Sequence, residues 1–420
     1  MKGFVISWYF PPINSSEGLV TFKLLKNSKY KYDVFTQKSN EAWTYGSKET
    51  DLVSKNINTI FSKSGDFKDW IKEGIEYFDK HHAEYDFIMS RSMAPESHVI
   101  ALEIKKKYPN IKWIASFGDP LCDNPFLYFI QKHSEYSLKG KGFENLSIRY
   151  VLSPKRIIKN FIWNFRRWNY LRHNNTEKDN TILQNNVINY ADKIILNNPY
   201  QMKHMYKKCP EAENKTIIIP HTYDSDFYPK NKSVKNDKVV MSFIGHLDDI
   251  RTPKQFLRAV TKLKEIDEKI SDKLEINFYG DLSANDKLYI IDNDLLDVVK
   301  IRKSVTYLDS LKVMKNSDWL LHIDANLGNF INENIFFAAK IADYLGSKSN
   351  IFAITMDNGA CADIMRETNS LICSFSEDEI LFRLLEISNN KYNKKTTNND
   401  HYDIKNVVKN YDEMVKNLTK

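Results

Sequence analysis

The sequence is poor in the residues that mark several classes of protein. It contains four cysteines among 420 residues, and their wide separation without a CxxC pair excludes a disulfide scaffold and a zinc site of regular spacing. Glycine and proline are also scarce, at 13 and 12 residues against 42% hydrophobic ones, which excludes a largely disordered chain. The cysteines are Cys122, Cys209, Cys361 and Cys373. Together these features predict a folded protein with reduced thiols.

Long apolar runs are missing too, and none reaches the length that spans a bilayer. The first run extends from Phe4 to Phe10 and ends at Pro11-Pro12, which is too short for the core of a signal peptide, and no small-residue cleavage site follows it. We therefore expect a cytoplasmic protein that is not integral to a membrane. The formal net charge of +7 is modest for this length and selects no partner by itself.

Two common nucleotide-binding motifs are absent. The sequence has neither GxGxxG nor a P-loop, so dehydrogenase and NTPase functions lose their usual support. What it does contain is an alternation of short β-branched or aromatic runs with segments of helical period, which predicts a doubly wound α/β fold. The length favours two domains, and the polar segment 230–238 suggests their boundary. We predict a first domain over 1–230, a second over 231–395 and a C-terminal helix over 396–420.

Four segments occur in a fixed order and carry the functional prediction. They are 9–18, with Phe-Pro-Pro before a small-residue loop, 219–229, 243–259 and 333–345. Their order and spacing resemble the family-4-type glycosyltransferases of the bacterial surface-polysaccharide kind. The resemblance covers nearly the whole chain except about 121–185. It implies the GT-B fold, with two facing Rossmann-like domains, and a retaining transfer from a nucleotide-activated sugar.

The resemblance implies that Ser15, Ser16 and Gly18 form one part of the donor site. Small residues there let backbone N–H groups approach a diphosphate at a helix N-terminus. The family usually has paired glycines at this loop. In the third segment, Gly245 is followed six positions later by Arg251. An arginine there can form two hydrogen bonds to phosphate and stabilise the leaving diphosphate, which makes it a donor-binding and catalytic candidate. His246 stands at the family's first basic position.

The fourth segment contains Lys340 and Asp343, and it is similar to a family variant with a lysine, then an acid, then Tyr-Leu. The resemblance implies that Lys340 belongs to the donor site and that Asp343 accepts hydrogen bonds from the ribose hydroxyls. Many relatives carry a glutamate eight residues before this acid, but here that position is Ile335, and Glu333 is the nearest acid. The residues alone also permit a surface ion pair between Lys340 and Asp343 at i,i+3 spacing.

Asp119 is the acceptor-side candidate, because it follows a predicted strand and a carboxylate can accept the acceptor's proton. Many relatives have His or Arg before this acid, and this chain has Gly118. An aspartate before proline is also a common turn starter. The triplet 224–226, Asp-Ser-Asp, belongs to the second segment and is not interpreted as a metal site. We expect neither a metal nor another cofactor.

The variable region 139–173 carries nine Lys or Arg residues against one acid, Glu144, and includes Trp163 and Trp168. Basic residues beside tryptophan suit an anionic membrane surface, and an ordinary helix packed on the domain is the open alternative. No pattern of a nucleic-acid-binding module is present.

The sequence thus predicts a metal-independent glycosyltransferase that moves a sugar from a nucleoside diphosphate donor to a carbohydrate or lipid-linked acceptor. Two alternatives stay open. One is a nucleotide-sugar epimerase, which shares the architecture but needs no acceptor. The other is a GT-B-like protein that binds a sugar or a partner without turnover.

Overall fold

The computed structural model describes residues 1–13, 15–38, 52–126, 176–207, 209–230, 237–247, 251–389, 397 and 399–420. The predicted basic region 139–173 lies outside these ranges. Within them, no helix is both long enough and apolar enough to cross a membrane.

The first domain is built on a sheet of seven parallel strands in the order β3-β2-β1-β4-β5-β6-β7. The central residues Phe4, Val5 and Ile6 have no exposed surface, because helices cover both faces of a parallel sheet of this kind. The strands are β1 (Lys2–Ser7), β2 (Lys31–Thr36), β3 (Ile57–Phe61), β4 (Phe87–Arg91), β5 (Lys112–Ser116), β6 (Lys193–Leu196) and β7 (Thr216–Ile218). The helices of this domain are α1 (Ser16–Asn27), α2 (Phe67–His81), α3 (Glu96–Lys107), α4 (Thr176–Tyr190) and α5 (Pro199–Met205).

The second domain has a sheet of six parallel strands in the order β10-β9-β8-β11-β12-β13. Its strands are β8 (Val239–Ile244), β9 (Leu274–Tyr279), β10 (Val299–Arg302), β11 (Trp319–Ile323), β12 (Asn350–Ile354) and β13 (Leu371–Cys373). Its helices are α6 (Lys254–Ile266), α7 (Ile270–Lys273), α8 (Ala284–Asp292), α9 (Tyr307–Asn316), α10 (Ala339–Ser347), α11 (Ala360–Glu367) and α12 (Glu377–Ser388). The two successive α/β units confirm the predicted fold class.

The last helix, α13 (Ile404–Leu418), returns to the first domain and packs against α1. Its apolar face is buried, and Tyr411 has no exposed surface. Polar bonds fix the contact as well, because Ser28 Oγ donates to Asp412 Oδ1 at 2.6 Å and Tyr30 Oη donates to the Asp412 carbonyl at 3.0 Å. The C-terminal helix therefore belongs structurally to the first domain, although it follows the second domain in the sequence.

In each sheet the strand order reverses once, between β1 and β4 in the first domain and between β8 and β11 in the second. Ligands of open α/β sheets bind in the crevice that such a reversal leaves at the carboxyl ends of the strands. The functional candidates therefore have to be sought at these two places.

Candidate active site between the domains

In the crevice of the second domain, at the carboxyl end of β8, Gly245 and Lys340 lie close together. Gly245 directly follows β8 and has a φ of +129°, a conformation that glycine adopts without strain. Lys340 lies in the first turn of α10, and its Nζ is 4.2 Å from the centre of the Phe243 ring. A Cβ built on Gly245 would approach Lys340 Nζ to 3.3 Å. The structure thus brings together two predicted donor-site residues that are far apart in the sequence.

The N-terminus of α10 adds to the positive character of this place. Its N-cap residue, Ala338, has no side-chain hydrogen bond to the first turn, and the first N–H groups of a helix have no partner within the helix. The helix dipole places partial positive charge at the same end. An ammonium group, a glycine turn and a helix N-terminus together make a suitable cradle for an anion.

Arg251 lies between the two domains. Its guanidinium carbon is 5.0 Å from the centre of the Phe126 ring, which belongs to the first domain. Its positive charge acts on carboxylates of both domains. It opposes the rise in the pKa of Asp119 in the first domain and contributes to the lowered pKa of Asp324 in the second. Arg251 therefore faces the cleft rather than bulk solvent.

Asp119 stands opposite, after the end of β5 in the first domain. Burial, and after it the charge of Glu17, raise its pKa to about 6, although the charges of Arg251 and Arg91 act in the opposite direction. A carboxylate whose pKa lies near neutrality can hold or accept a proton under physiological conditions, which is what a general base requires.

Glu17 and Arg91 form an ion pair beside Asp119 that the sequence did not predict. Arg91 Nε donates to Glu17 Oε2 at 2.7 Å, and Arg91 Nη1 donates to Ser116 Oγ at 2.9 Å. In the sequence, Glu17 is recognisable only as an acid in the first turn of α1. Acids are common at this place because of the helix dipole, so its position does not indicate a partner. Arg91, at the end of β4, gave no signal, because its role depends on strands that are adjacent only in the fold.

The small-residue loop leads into α1 as predicted. Ser15 is the N-cap residue but makes no side-chain capping bond, and Ser16 is exposed. Gly18 is buried where a Cβ would come within 3.1 Å of the Phe10 backbone, so a side chain there would collide with main-chain atoms. A role for this loop in donor binding stays a prediction.

Asp343 lies in α10 and contacts the first domain. Its Oδ1 accepts hydrogen bonds from Lys23 Nζ at 2.8 Å and from Tyr307 Oη at 2.9 Å, and its carbonyl accepts one from Tyr228 Oη at 2.6 Å. The Lys23 side chain is 1% exposed. Sequence analysis gave Asp343 a ribose-binding role and missed this buried ion pair between α1 and α10.

The rim of the cleft contains Glu333. It is paired with Lys203 of α5, whose Nζ lies 2.9 Å from Glu333 Oε2. Nearby, Asn198 Nδ2 donates to the Ile335 carbonyl at 2.9 Å, so this segment of the second domain touches the first. Ile335, at the position of the family's glutamate, is buried. His246 is exposed next to Gly245, and its phosphate-binding role stays a prediction.

A buried polar group of His322, Asp324 and Cys361 lies below the cleft, with ligand atoms within 4.8 Å of one another, and such a group could hold a metal ion. The donor set fits a metal poorly. The two Asp324 oxygens already accept bonds from Asn334 Nδ2, Thr355 Oγ1 and the Ala325 N–H at 2.7, 3.0 and 2.9 Å. Burial lowers the pKa of His322, Asp324 opposes this shift, and the positive charges of Lys340 and Arg251 add to it. The same two positive charges would repel a cation at this place. Asp324 instead anchors the segment that leads to Glu333, and metal independence stays a prediction.

Comparisons with known proteins add the following. No protein-family model matches the sequence. A D-inositol 3-phosphate glycosyltransferase of Geodermatophilus obscurus is 22% identical over 105 residues. These residues make up 23% of this chain and 23% of that relative, so the match spans about a quarter of the relative's length.

Several solved structures match along the whole chain. Sucrose-phosphate synthase from Thermosynechococcus elongatus has a TM-score of 0.61 at 11% identity, over 100% of this chain and 95% of that one. UDP-GlcNAc 2-epimerase from Methanocaldococcus jannaschii has a TM-score of 0.54 at 13% identity, over 100% and 99%. WaaG, a glycosyltransferase involved in lipopolysaccharide biosynthesis, has a TM-score of 0.57 at 11% identity, over 99% and 95%. These likenesses show that the chain has the predicted GT-B fold.

Proposed function

We propose that this protein is a glycosyltransferase that moves a sugar from a nucleoside diphosphate donor to a carbohydrate or lipid-linked acceptor, with retention and without a metal. One observation carries the proposal. Gly245, Lys340 and the N-terminus of α10 form an anion cradle in one domain, while Asp119 stands across the cleft with Arg251 in range of its charge. An anion site facing a carboxylate suits the transfer of a group from a phosphate to a hydroxyl.

The donor diphosphate would occupy the cradle. The N–H groups of the first turn of α10 and the Lys340 ammonium would hold phosphate oxygens. The guanidinium of Arg251 would reach the phosphate that leaves, where it can make two parallel hydrogen bonds. The small residues Ser15 and Ser16 would face the donor on the side of the first domain.

In the reaction, the acceptor oxygen approaches the anomeric carbon of the donor sugar on the face that the phosphate leaves, so that the configuration is retained, and forms a bond to that carbon. The bond between that carbon and the phosphate oxygen breaks, and both of its electrons stay on the diphosphate. The phosphate becomes more negative as this bond breaks, so Arg251 stabilises the transition state more than the ground state. The proton of the acceptor hydroxyl passes to the carboxylate of Asp119.

Asp343 is proposed to bind the ribose through Oδ2, since Oδ1 already accepts hydrogen bonds from Lys23 and Tyr307. A carboxylate can accept bonds from two vicinal hydroxyls. Because Lys23 belongs to the first domain, the same side chain would then link nucleotide binding to the contact between the domains.

The proposal is tested in two steps with the purified protein. First, a panel of nucleoside diphosphates is screened for a rise in the thermal unfolding midpoint, because a ligand that binds only the native state stabilises it. Second, sugar nucleotides of the selected base are incubated with and without candidate acceptors, and the products are separated. Transfer, or slow donor hydrolysis, supports the proposal. A change of the donor sugar without an acceptor supports an epimerase, and binding without turnover supports a sugar-binding protein.

A further inference from the structure

Glu17 occupies an unusual position for an acid in the first turn of a helix. A Cβ built on Gly118 would lie 2.6 Å from Glu17 Oε1 and 2.9 Å from Oε2, closer than atoms can approach. The carboxylate of α1 therefore lies directly against the backbone that follows β5. A side chain at position 118 would therefore have to displace the Glu17 carboxylate.

Arg91 holds the Glu17 carboxylate in this place. Besides its 2.7 Å bond to Glu17, its guanidinium is tied to Ser116 of β5 at 2.9 Å, and its side chain is 5% exposed. Both ends of the pair are thus anchored, Arg91 in the sheet and Glu17 on α1. An arginine fixed by two bonds in a buried place loses little further freedom when it orients a carboxylate.

The backbone of Gly118 is held by polar bonds on its other sides. Its N–H donates to Ser92 Oγ at 3.3 Å, and its carbonyl accepts from Asn197 Nδ2 at 2.6 Å and from Gln201 Nε2 at 3.3 Å. Glu17 closes the remaining side, next to the α-carbon. The residue that directly follows this clamped position is Asp119.

The charges that face Asp119 come from three elements. Glu17 on α1 raises the pKa of Asp119, while Arg251, ahead of α6, and Arg91, at the end of β4, lower it. Burial is the largest influence and raises the pKa. Glu17 is therefore the nearby charge that favours protonation of Asp119.

We propose that Glu17, locked by Arg91, is a positioning residue of this active site, which fixes the Gly118–Asp119 segment and supplies the negative charge that favours proton transfer to Asp119. The inference rests on the proposed function and adds to it, since Glu17 acts through Asp119 and touches neither the donor nor the reacting atoms.

The first test is the pH dependence of transfer in Glu17→Gln. Asp119 works as a base in its ionised form, so the rate rises as pH passes through its pKa. Removal of the Glu17 charge lowers that pKa and weakens the base. We expect the acidic limb of the kcat profile to move to lower pH and the plateau to fall by roughly tenfold. Glu103→Gln, an equal charge change at an exposed acid of α3, should leave the profile in place. A profile that keeps its midpoint and only loses height would overturn the proposal.

A second test needs no activity. In protein labelled with ¹³C at aspartate carboxyls, the Asp119 signal is identified from its loss in Asp119→Asn, and its titration is compared in wild type and Glu17→Gln. The midpoint should be lower in the variant, and equal midpoints contradict the inference. A lower midpoint in a protein that turns over no sugar nucleotide would support the role of Glu17 and sink the glycosyltransferase proposal, so the two failures can be distinguished.

The positional half of the proposal is tested by a double-mutant cycle on thermal stability. Gly118→Ala should lower the unfolding midpoint clearly, because its new methyl group overlaps the Glu17 carboxylate. In a Glu17→Ala background the same change should lower the midpoint much less, since the space is then open. An equal loss in both backgrounds would show that Glu17 does not press on this segment.

Discussion

The two walls of the cleft are built in different ways. The wall of the second domain is cationic and consists of a glycine turn after β8, a lysine in the first turn of α10 and Arg251. The wall of the first domain places two carboxylates, Glu17 and Asp119, around Arg91. The first arrangement suits a bound anion and the second suits a mobile proton. Under the proposed function, the second domain would bind the donor diphosphate and the first would receive the proton of the acceptor hydroxyl.

The largest expected effect comes from the ion pair that joins these walls. Asp343→Ala leaves Lys23 buried without its carboxylate, and the removal of one partner of a buried pair costs about 3–5 kcal/mol of folding free energy. Chemical denaturation measures the loss. As a control, Asp378→Ala breaks an exposed pair with Lys262, 3.1 Å long in the structure, and should cost less than about 1 kcal/mol.

The variant Lys23→Met in the Asp343→Ala background sharpens the result. With both charges of this pair removed, the double variant should be more stable than Asp343→Ala alone. If the single and double variants unfold at the same denaturant concentration, the ion pair does not hold the domains together.

The next effect concerns the cationic wall. Arg251→Ala should lower kcat by on the order of a hundredfold, because the charge that Arg251 stabilises develops in the transition state. Arg251→Lys should recover only part of this loss, since an ammonium cannot make the two parallel bonds of a guanidinium. Steady-state transfer kinetics decide the matter. Arg258→Ala removes an arginine from the exposed side of α6, where it pairs with Glu377, and should behave like wild type. Near-normal turnover by Arg251→Ala would remove Arg251 from the reaction.

These cases show what could be predicted from the sequence. Gly245 and Arg251 could be chosen as candidates because they stand six positions apart in one segment, and a spacing this short is visible in the sequence. The strand alternation likewise predicted both sheets. Lys23 and Asp343 are 320 positions apart, so neither propensity nor periodicity connects them. Glu17 and Arg91 meet because β1 lies next to β4 in the sheet, and this order is a property of the fold.

The smallest effect is expected for the region 139–173 of the first domain. We predict that it increases association with vesicles that contain anionic lipid, because basic residues cluster there beside Trp163 and Trp168. Co-sedimentation should be stronger with anionic than with neutral vesicles and should weaken as salt is added. Equal recovery with both kinds of vesicle would leave the ordinary packed helix as the better interpretation, and it would weaken the case for a lipid-linked acceptor.

Calorimetry tests most directly whether the two walls of the cleft serve separate purposes. A nucleoside diphosphate chosen from the thermal screen is titrated into the wild-type protein, Lys340→Ala and Asp119→Asn. Lys340→Ala removes a charge from the anion cradle and should weaken binding by about tenfold or more, the equivalent of one charged hydrogen bond. Asp119→Asn changes the opposite wall and should leave the affinity within about twofold of wild type. Wild-type affinity in Lys340→Ala together with weakened binding in Asp119→Asn would contradict the account.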